Sequence, residues 1–197
     1  MINGKKTVKI FVARSAQDIE TAYERLSVSA EIGCDTETSS LSVRNGKLFS
    51  VQFSDGAYNV LVPISEGVSI GRLGEILDNP NITKIFHNAK FDLEFLRENG
   101  HSVQNIFCTM IAEKILTKGA NQSSGLADTL YRYFAVDLDK SQRAKFNRKW
   151  DGIWTDELVH YALADVAYLP KLMREQKLWL ERLGLTNDFI AHMRKVI

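Results

Sequence analysis

Cysteine and proline are scarce in this chain: two of the former and three of the latter among 197 residues. Cys34 and Cys108 are too few for a zinc tetrad. Both sit in apolar stretches, Ile32-Gly33-Cys34 and Ile106-Phe107-Cys108, where a free thiol packs as a small hydrophobe. With only 12 glycines, a collagen-like or linker-rich chain is excluded. No apolar run approaches the roughly 18 residues that a membrane helix requires, so no membrane association is expected. The first ten residues carry Lys5, Lys6 and Lys9 but no long apolar stretch with a small-residue cleavage site, and a cytoplasmic protein is the expectation. An excess of one charge is also missing: 25 Lys plus Arg against 24 Asp plus Glu leave a net charge of +1. That excludes a protein that coats nucleic acid by bulk charge, while leaving room for a local basic groove.

What is there reads as a soluble globular protein, 45% apolar and 25% charged, of a length suited to a single domain over residues 1–197 with a core over about 7–182 and a tail over 183–197. Residues 7–12, Thr-Val-Lys-Ile-Phe-Val, are strand-like, and Ser15 caps a helix running to Leu26. Ile32–Thr38 predicts a second strand. Asn45-Gly46 and Asp55-Gly56 punctuate two more, around Leu48–Phe53 and Tyr58–Val62, giving an antiparallel meander. Ile70, Leu73, Ile76 and Leu77 recur at helical spacing. Lys84-Ile85-Phe86 reads as a buried strand leading into a helix over Ala89–Glu98. The remainder is mainly helical: Met110–Thr117, a face of Leu126, Leu130, Tyr133 and Phe134, and one long helix over about Asp156–Arg182. Strands first and helices later predict an α/β fold with a mixed sheet, antiparallel meander plus parallel strands, flanked by helices.

Three places hold candidate chemistry. Asp35-Thr36-Glu37 puts two carboxylates on one face of a strand, where their repulsion calls for a cation. Asp92 follows a strand-to-helix junction in Phe86-His87-Asn88-Ala89-Lys90-Phe91-Asp92; Asn88 reads equally as an N-cap, and Asp92 as an acid favoured by the helix dipole. Tyr161 and Asp165 are four apart on a helix stripe shared with Leu158, Ala162 and Leu169, where an acid needs a partner or a metal. Taken together, four acids from an early strand, a middle helix and a late helix form a set of hard oxygen ligands suited to Mg²⁺ or Mn²⁺. Two such ions suit the in-line hydrolysis of a phosphodiester. Residues 140–149 add Lys140, Arg143, Lys145, Arg148 and Lys149 with no acid, and Phe146 and Trp150 within or beside them. This segment reads either as a solvated connector or as a track for a single strand.

In this order the three segments resemble the DEDD superfamily of 3'-5' exonucleases, over roughly residues 7–182. Asp35-Thr36-Glu37-Thr38-Ser39-Ser40-Leu41 is similar to the first motif of family A DNA polymerase proofreading domains. His87-Asn88-Ala89-Lys90-Phe91-Asp92 resembles the second motif, and Tyr161-Ala162-Leu163-Ala164-Asp165 the third. The resemblance implies a ribonuclease H-like fold and two bound Mg²⁺ or Mn²⁺ ions. Asp35, Glu37 and Asp165 would hold the ion at which the nucleophilic water forms; Asp35 would bridge to the second, supported by Asp92. Tyr161 would orient the attacking water, Leu41 would wedge between the last two bases, and Asn88, His87 and Thr38 would hold the terminal nucleotide.

His160 lies five residues before Asp165 and so fits the sister subclass that uses His in place of Tyr. An offset of four rotates about 40° around a helix and five about 140°, which puts Tyr161 with Asp165. The expected activity is removal of nucleoside 5'-monophosphates from the 3' end of single-stranded DNA, because the first motif is most like proofreading domains. The alternatives are an exonuclease of RNA or oligoribonucleotides of the ribonuclease D type, and a non-catalytic nucleic-acid-binding module. The length leaves action alone, a homo-oligomer, or service to a separate polymerase as the expected settings.

Overall fold

Strand-forming residues are concentrated in the first half of the chain and long helical patterns in the second, and the computed structural model, which describes residues 9–196, keeps that division. β1 (Lys9–Val12) is followed by α1 (Ala16–Leu26); Thr7 and Val8, the expected start of the first strand, lie outside the described residues. Ser15 and Asp18 cap α1 reciprocally, the Ser15 side chain accepting from the Asp18 N–H and the Asp18 carboxylate from the Ser15 N–H. β2 (Glu31–Thr38), β3 (Leu48–Ser54) and β4 (Tyr58–Val62) form the expected antiparallel meander. β1 pairs in parallel with β4 at one edge. α2 (Leu73–Asp78) leads to β5 (Thr83–Phe86), α3 (Ala89–Glu98) and β6 (Ile106–Cys108), a strand-helix-strand unit whose two strands run parallel.

β6 is an addition to the strands expected from the sequence pattern, in which Ile106-Phe107-Cys108 stands out only as apolar surroundings for a thiol. Three residues are too few to display a period, and their partner strand lies some 20 positions upstream. The six strands stand in the order β1-β4-β3-β2-β5-β6. α4 (Thr109–Leu116), α5 (Leu126–Phe134), α6 (Asp156–Ala167), α7 (Leu169–Arg182) and α8 (Thr186–Met193) complete the described chain. α8 lies in the expected tail and packs back on the sheet, with the Phe189 ring 4.6 Å from that of Phe107. Among the described residues no helix is long and apolar enough to cross a membrane.

The single helix expected over 156–182 is two. Pro170 has no N–H to offer the Val166 carbonyl and its ring crowds that group, so α6 ends at Ala167 and α7 begins with Pro170 in its first turn. The break is seated on β2. A Cβ built on Gly33 would stand 2.8 Å from the Val166 oxygen and 3.1 Å from Leu169 Cβ, so only glycine lets the end of α6 lie this close to the sheet. Residue 165, immediately before this contact, is thereby held at a fixed height above β2. Ile32, Cys34, Phe53, Ile85, Phe86, Leu93 and Leu163 are buried in one continuous core, with a smaller cluster of Leu130, Leu138 and Leu172.

Candidate active site

The opening in the sheet follows from its register. β5 pairs with β2 only along Glu31–Gly33 and leaves the sheet after Phe86, whereas β3 accompanies β2 as far as Thr38. The far half of β2 therefore has a neighbour on one side only, and a crevice forms at the carboxyl ends of the parallel strands, where sites on open sheets collect. Asp35 and Glu37 alternate with Thr36 and project to the same side as Gly33, the side covered by α6 and α7. A register shift between Glu37 and Thr38 marks the end of regular pairing. α6 supplies Tyr161 and Asp165, and α3 supplies Asp92. These five side chains, with Thr38, Leu41, His87 and Asn88, line one pocket of about 410 Å³.

Burial acts on each acid in the same direction. Glu37 is pushed up to about 8 by desolvation and by the Asp165 charge, against the pull of Lys140. Asp92 rises to about 7 by desolvation, opposed by its hydrogen bond from Thr36. Asp35 stands well above the usual carboxylate range through burial and the charges of Asp92, Asp165 and Glu37. Asp165 is raised by burial and pulled back by Lys140. Burial is the largest cause for all four, so the pocket favours their neutral forms unless a cation is supplied to the charged ones. In oxygen type and charge the donor set fits hard divalent cations, with Asp35, Glu37 and Asp165 as one set of ligands and Asp92 as an outlying one. It is not closed around an ion: among the described residues no three such side chains stand ready as a cage. Both Asp165 oxygens accept from Lys140, at 2.6 and 2.8 Å, and Asp92 Oδ1 accepts from Thr36 Oγ1 at 2.7 Å.

Tyr161 is buried, and its phenol is raised by desolvation and by Glu37 and Asp165. It therefore stays protonated and offers a hydroxyl. His160 is exposed, outside the pocket, with Nδ1 2.7 Å from the Asp156 oxygen. Asn88 occupies the N-cap position of α3, but in the left-handed region (φ 72°, ψ 46°) and with no side-chain capping bond, a conformation that asparagine tolerates better than most residues. The capping reading is thus corrected: the Asn88 side chain accepts from no N–H of the first turn, where the Phe91 N–H donates to the Asn88 backbone oxygen at 3.0 Å. The Ala89 N–H donates to Cys108 Sγ at 3.4 Å, and the Asn88 side chain is exposed at the pocket wall. Asp92 is 1% exposed, in the first turn of α3. His87 Nδ1 lies 2.9 Å from Thr109 Oγ1, and burial lowers the ring to about 4, leaving it neutral. Leu41 is 80% exposed on the rim.

Lys140, Arg143 and Phe146 also line the pocket, beyond the residues expected from the motifs. Their only signal in the sequence is the run of basic residues with aromatics. The segment is no free connector: Phe146 packs on Tyr161 (5.7 Å between ring centroids) and on Trp154 (5.4 Å), and meets Trp150 edge-on (5.1 Å). Trp150 is held in turn by Phe49 at 4.7 Å. Lys145, Arg148 and Lys149 remain exposed along it.

A family model described as 3'-5' exonuclease matches residues 10–181. The chain is 29% identical over 172 residues to ribonuclease D of Gluconacetobacter diazotrophicus, covering 86% of this chain and 42% of that protein. It is 27% identical over 215 residues to the DNA polymerase of Escherichia phage T5, covering 90% of this chain and 25% of the polymerase. The chain thus spans less than half the length of these curated relatives. Solved structures of Brucella melitensis NrnC align over 96% of this chain and about 90% of theirs, at 28% identity and a TM-score of 0.78. The same protein with bound Mg²⁺ aligns at 26% identity and 0.75, and bound to pGG at 26% and 0.78.

Proposed function

This chain belongs to the 3'-5' exonuclease family, and from that premise we propose that it removes nucleoside 5'-monophosphates from the 3' end of single-stranded RNA or short oligoribonucleotides. The observation that carries the reading is that acids from β2, α3 and α6 line one pocket together with Tyr161. When bound, Mg²⁺ or Mn²⁺ supplies polarisation of the scissile phosphate and acidification of water. Asp35, Glu37 and Asp165 would hold one ion, and Asp35 with Asp92 a second.

The chain's own groups do the rest. The Tyr161 hydroxyl, kept protonated by burial and neighbouring acids, orients water by hydrogen bonding and does not act as a base. Exposed Leu41 presents an apolar edge at the rim, suited to separating the last two bases. Asn88, His87 and Thr38 on the wall hold the terminal nucleotide. Arg143, with the exposed cations after it, meets the phosphates leading to the pocket.

RNA is favoured because the curated relatives are mainly ribonucleases D. DNA, the preference drawn from the first motif, is the second reading, supported by the match to the phage T5 DNA polymerase. The deciding experiment measures kcat/KM on matched 5'-labelled RNA and DNA strands with Mg²⁺. One gained hydrogen bond to a 2'-hydroxyl is worth about tenfold, so RNA is expected to lead by at least roughly that factor. Equal rates would overturn the RNA preference, and faster DNA shortening would transfer the assignment to DNA.

A further inference from the structure

Among the described residues, Asp165 is the one acid of the pocket that is already paired with a cation. Lys140, 25 residues earlier and outside α6, places Nζ 2.6 and 2.8 Å from its two oxygens. The same ammonium lies 5.6 Å from the centroid of the Tyr161 ring. The pair is largely shielded from solvent, with side chains 32% and 16% exposed, so water screens it only partly. A carboxylate whose two oxygens both accept from one ammonium cannot present them to a divalent ion at the same time. The residue is lysine, a compact charge on a flexible stem that can withdraw, and not an arginine fork locked onto the carboxylate.

We propose that Lys140 is an internal counter-ion of the metal site: it holds Asp165 in the ion-free chain and must release it before a divalent cation can bind there. The proposal rests on the metal-dependent exonuclease reading above. In the ion-free chain this ammonium offsets the repulsion among Asp35, Glu37 and Asp165. A divalent ion displaces it because the ion brings twice the charge to the same oxygens. Lys140 then stays beside Arg143 at the pocket wall. It is a positioning residue, acting through Asp165.

The test is calorimetric titration of Mn²⁺ into the wild-type chain, Lys140→Met, Lys140→Arg and Asp165→Asn, with no substrate present. Removing the competing ammonium is expected to tighten Mn²⁺ binding about tenfold in Lys140→Met, between the small effect of an exposed pair and the large effect of a buried one. Lys140→Arg, which keeps the charge, is expected to bind Mn²⁺ no more tightly than wild type. Lys140→Gln serves if the Met variant does not fold. A merely structural lysine moves the result the other way: unchanged or weaker Mn²⁺ binding in Lys140→Met, with Asp165→Asn defective, overturns the counter-ion proposal and leaves the exonuclease reading intact. Wild-type affinity in Asp165→Asn would overturn the ion-binding reading itself.

Discussion

Thr36 donates a 2.7 Å hydrogen bond to Asp92, 56 positions away, from the side of β2 opposite to Asp35 and Glu37. The third acid of the set therefore reaches the pocket from behind the strand that carries the first two. Both partners are buried, Thr36 at 5% and Asp92 at 1% exposure. In Thr36→Val the carboxyl is deprived of a donor that water cannot replace. Urea unfolding of the ion-free variant is expected to show a destabilisation of about 1–3 kcal/mol. Asp92 should also titrate higher, so that Mn²⁺ binding requires a higher pH than in wild type. An unchanged unfolding midpoint would mean that Thr36 does not hold Asp92.

The raised carboxyls set the pH dependence of the ion-free protein. Glu37 at about 8 and Asp92 at about 7 bind protons more tightly in the folded chain than at their ordinary values of 4.5 and 3.8. The folded chain thus carries more protons than the unfolded one in between. Their stabilisation is present below about pH 4 and is lost as pH rises through 7 to 8. Differential scanning calorimetry with chelator should show the melting temperature falling from about pH 5 to 8. Saturating Mg²⁺ should restore it, and Glu37→Gln should flatten the fall. A melting temperature that rises with pH over that interval would contradict the assigned shifts.

Tyr161 faces the pocket and His160 faces solvent. Tyr161→Phe keeps the packing on Phe146 but deletes the hydroxyl, and kcat is expected to fall about 10²-fold, the scale set by a misplaced reactant. His160→Ala should leave kcat within about twofold, since its ring nitrogen meets a backbone oxygen of its own helix. Steady-state rates on one oligonucleotide compare the two, and a larger drop in His160→Ala would assign the site to the other subclass.

Lys145, Arg148 and Lys149 stand exposed on a segment pinned by Phe146 and Trp150. Replacing all three with Gln is expected to raise KM for long strands while leaving kcat and the cleavage of very short ones nearly unchanged. Each cation that no longer neutralises a phosphate should make the salt dependence of log KM shallower by about 0.7. An unaltered salt slope would return this segment to the role of a connector.

Local signals carry much of this structure. The alternation and turn residues of 32–62 contain the meander, and Asp35-Thr36-Glu37 displays its shared face by strand geometry alone. Tyr161 and Asp165 separate from His160 by helix rotation. What stays hidden depends on partners distant along the chain. β6 exists because β5 offers an edge to three residues. The division of α6 from α7 is within reach through Pro170, but its seating on Gly33 is not. No spacing rule connects Lys140 to Asp165 or Thr36 to Asp92, because each pair meets only when the sheet and its helices have assembled.

Carboxyls from three separate elements are proposed to act as one metal-dependent hydrolytic site, and a timed digestion of a 5'-labelled single strand puts that proposal at stake. Wild type and Asp35→Ala are each assayed with Mg²⁺, Mn²⁺ or chelator. The expected result is a ladder that shortens from the 3' end, appears only with a divalent ion, and is absent from the variant. A ladder that persists in Asp35→Ala, or that forms equally well in chelator, would contradict it.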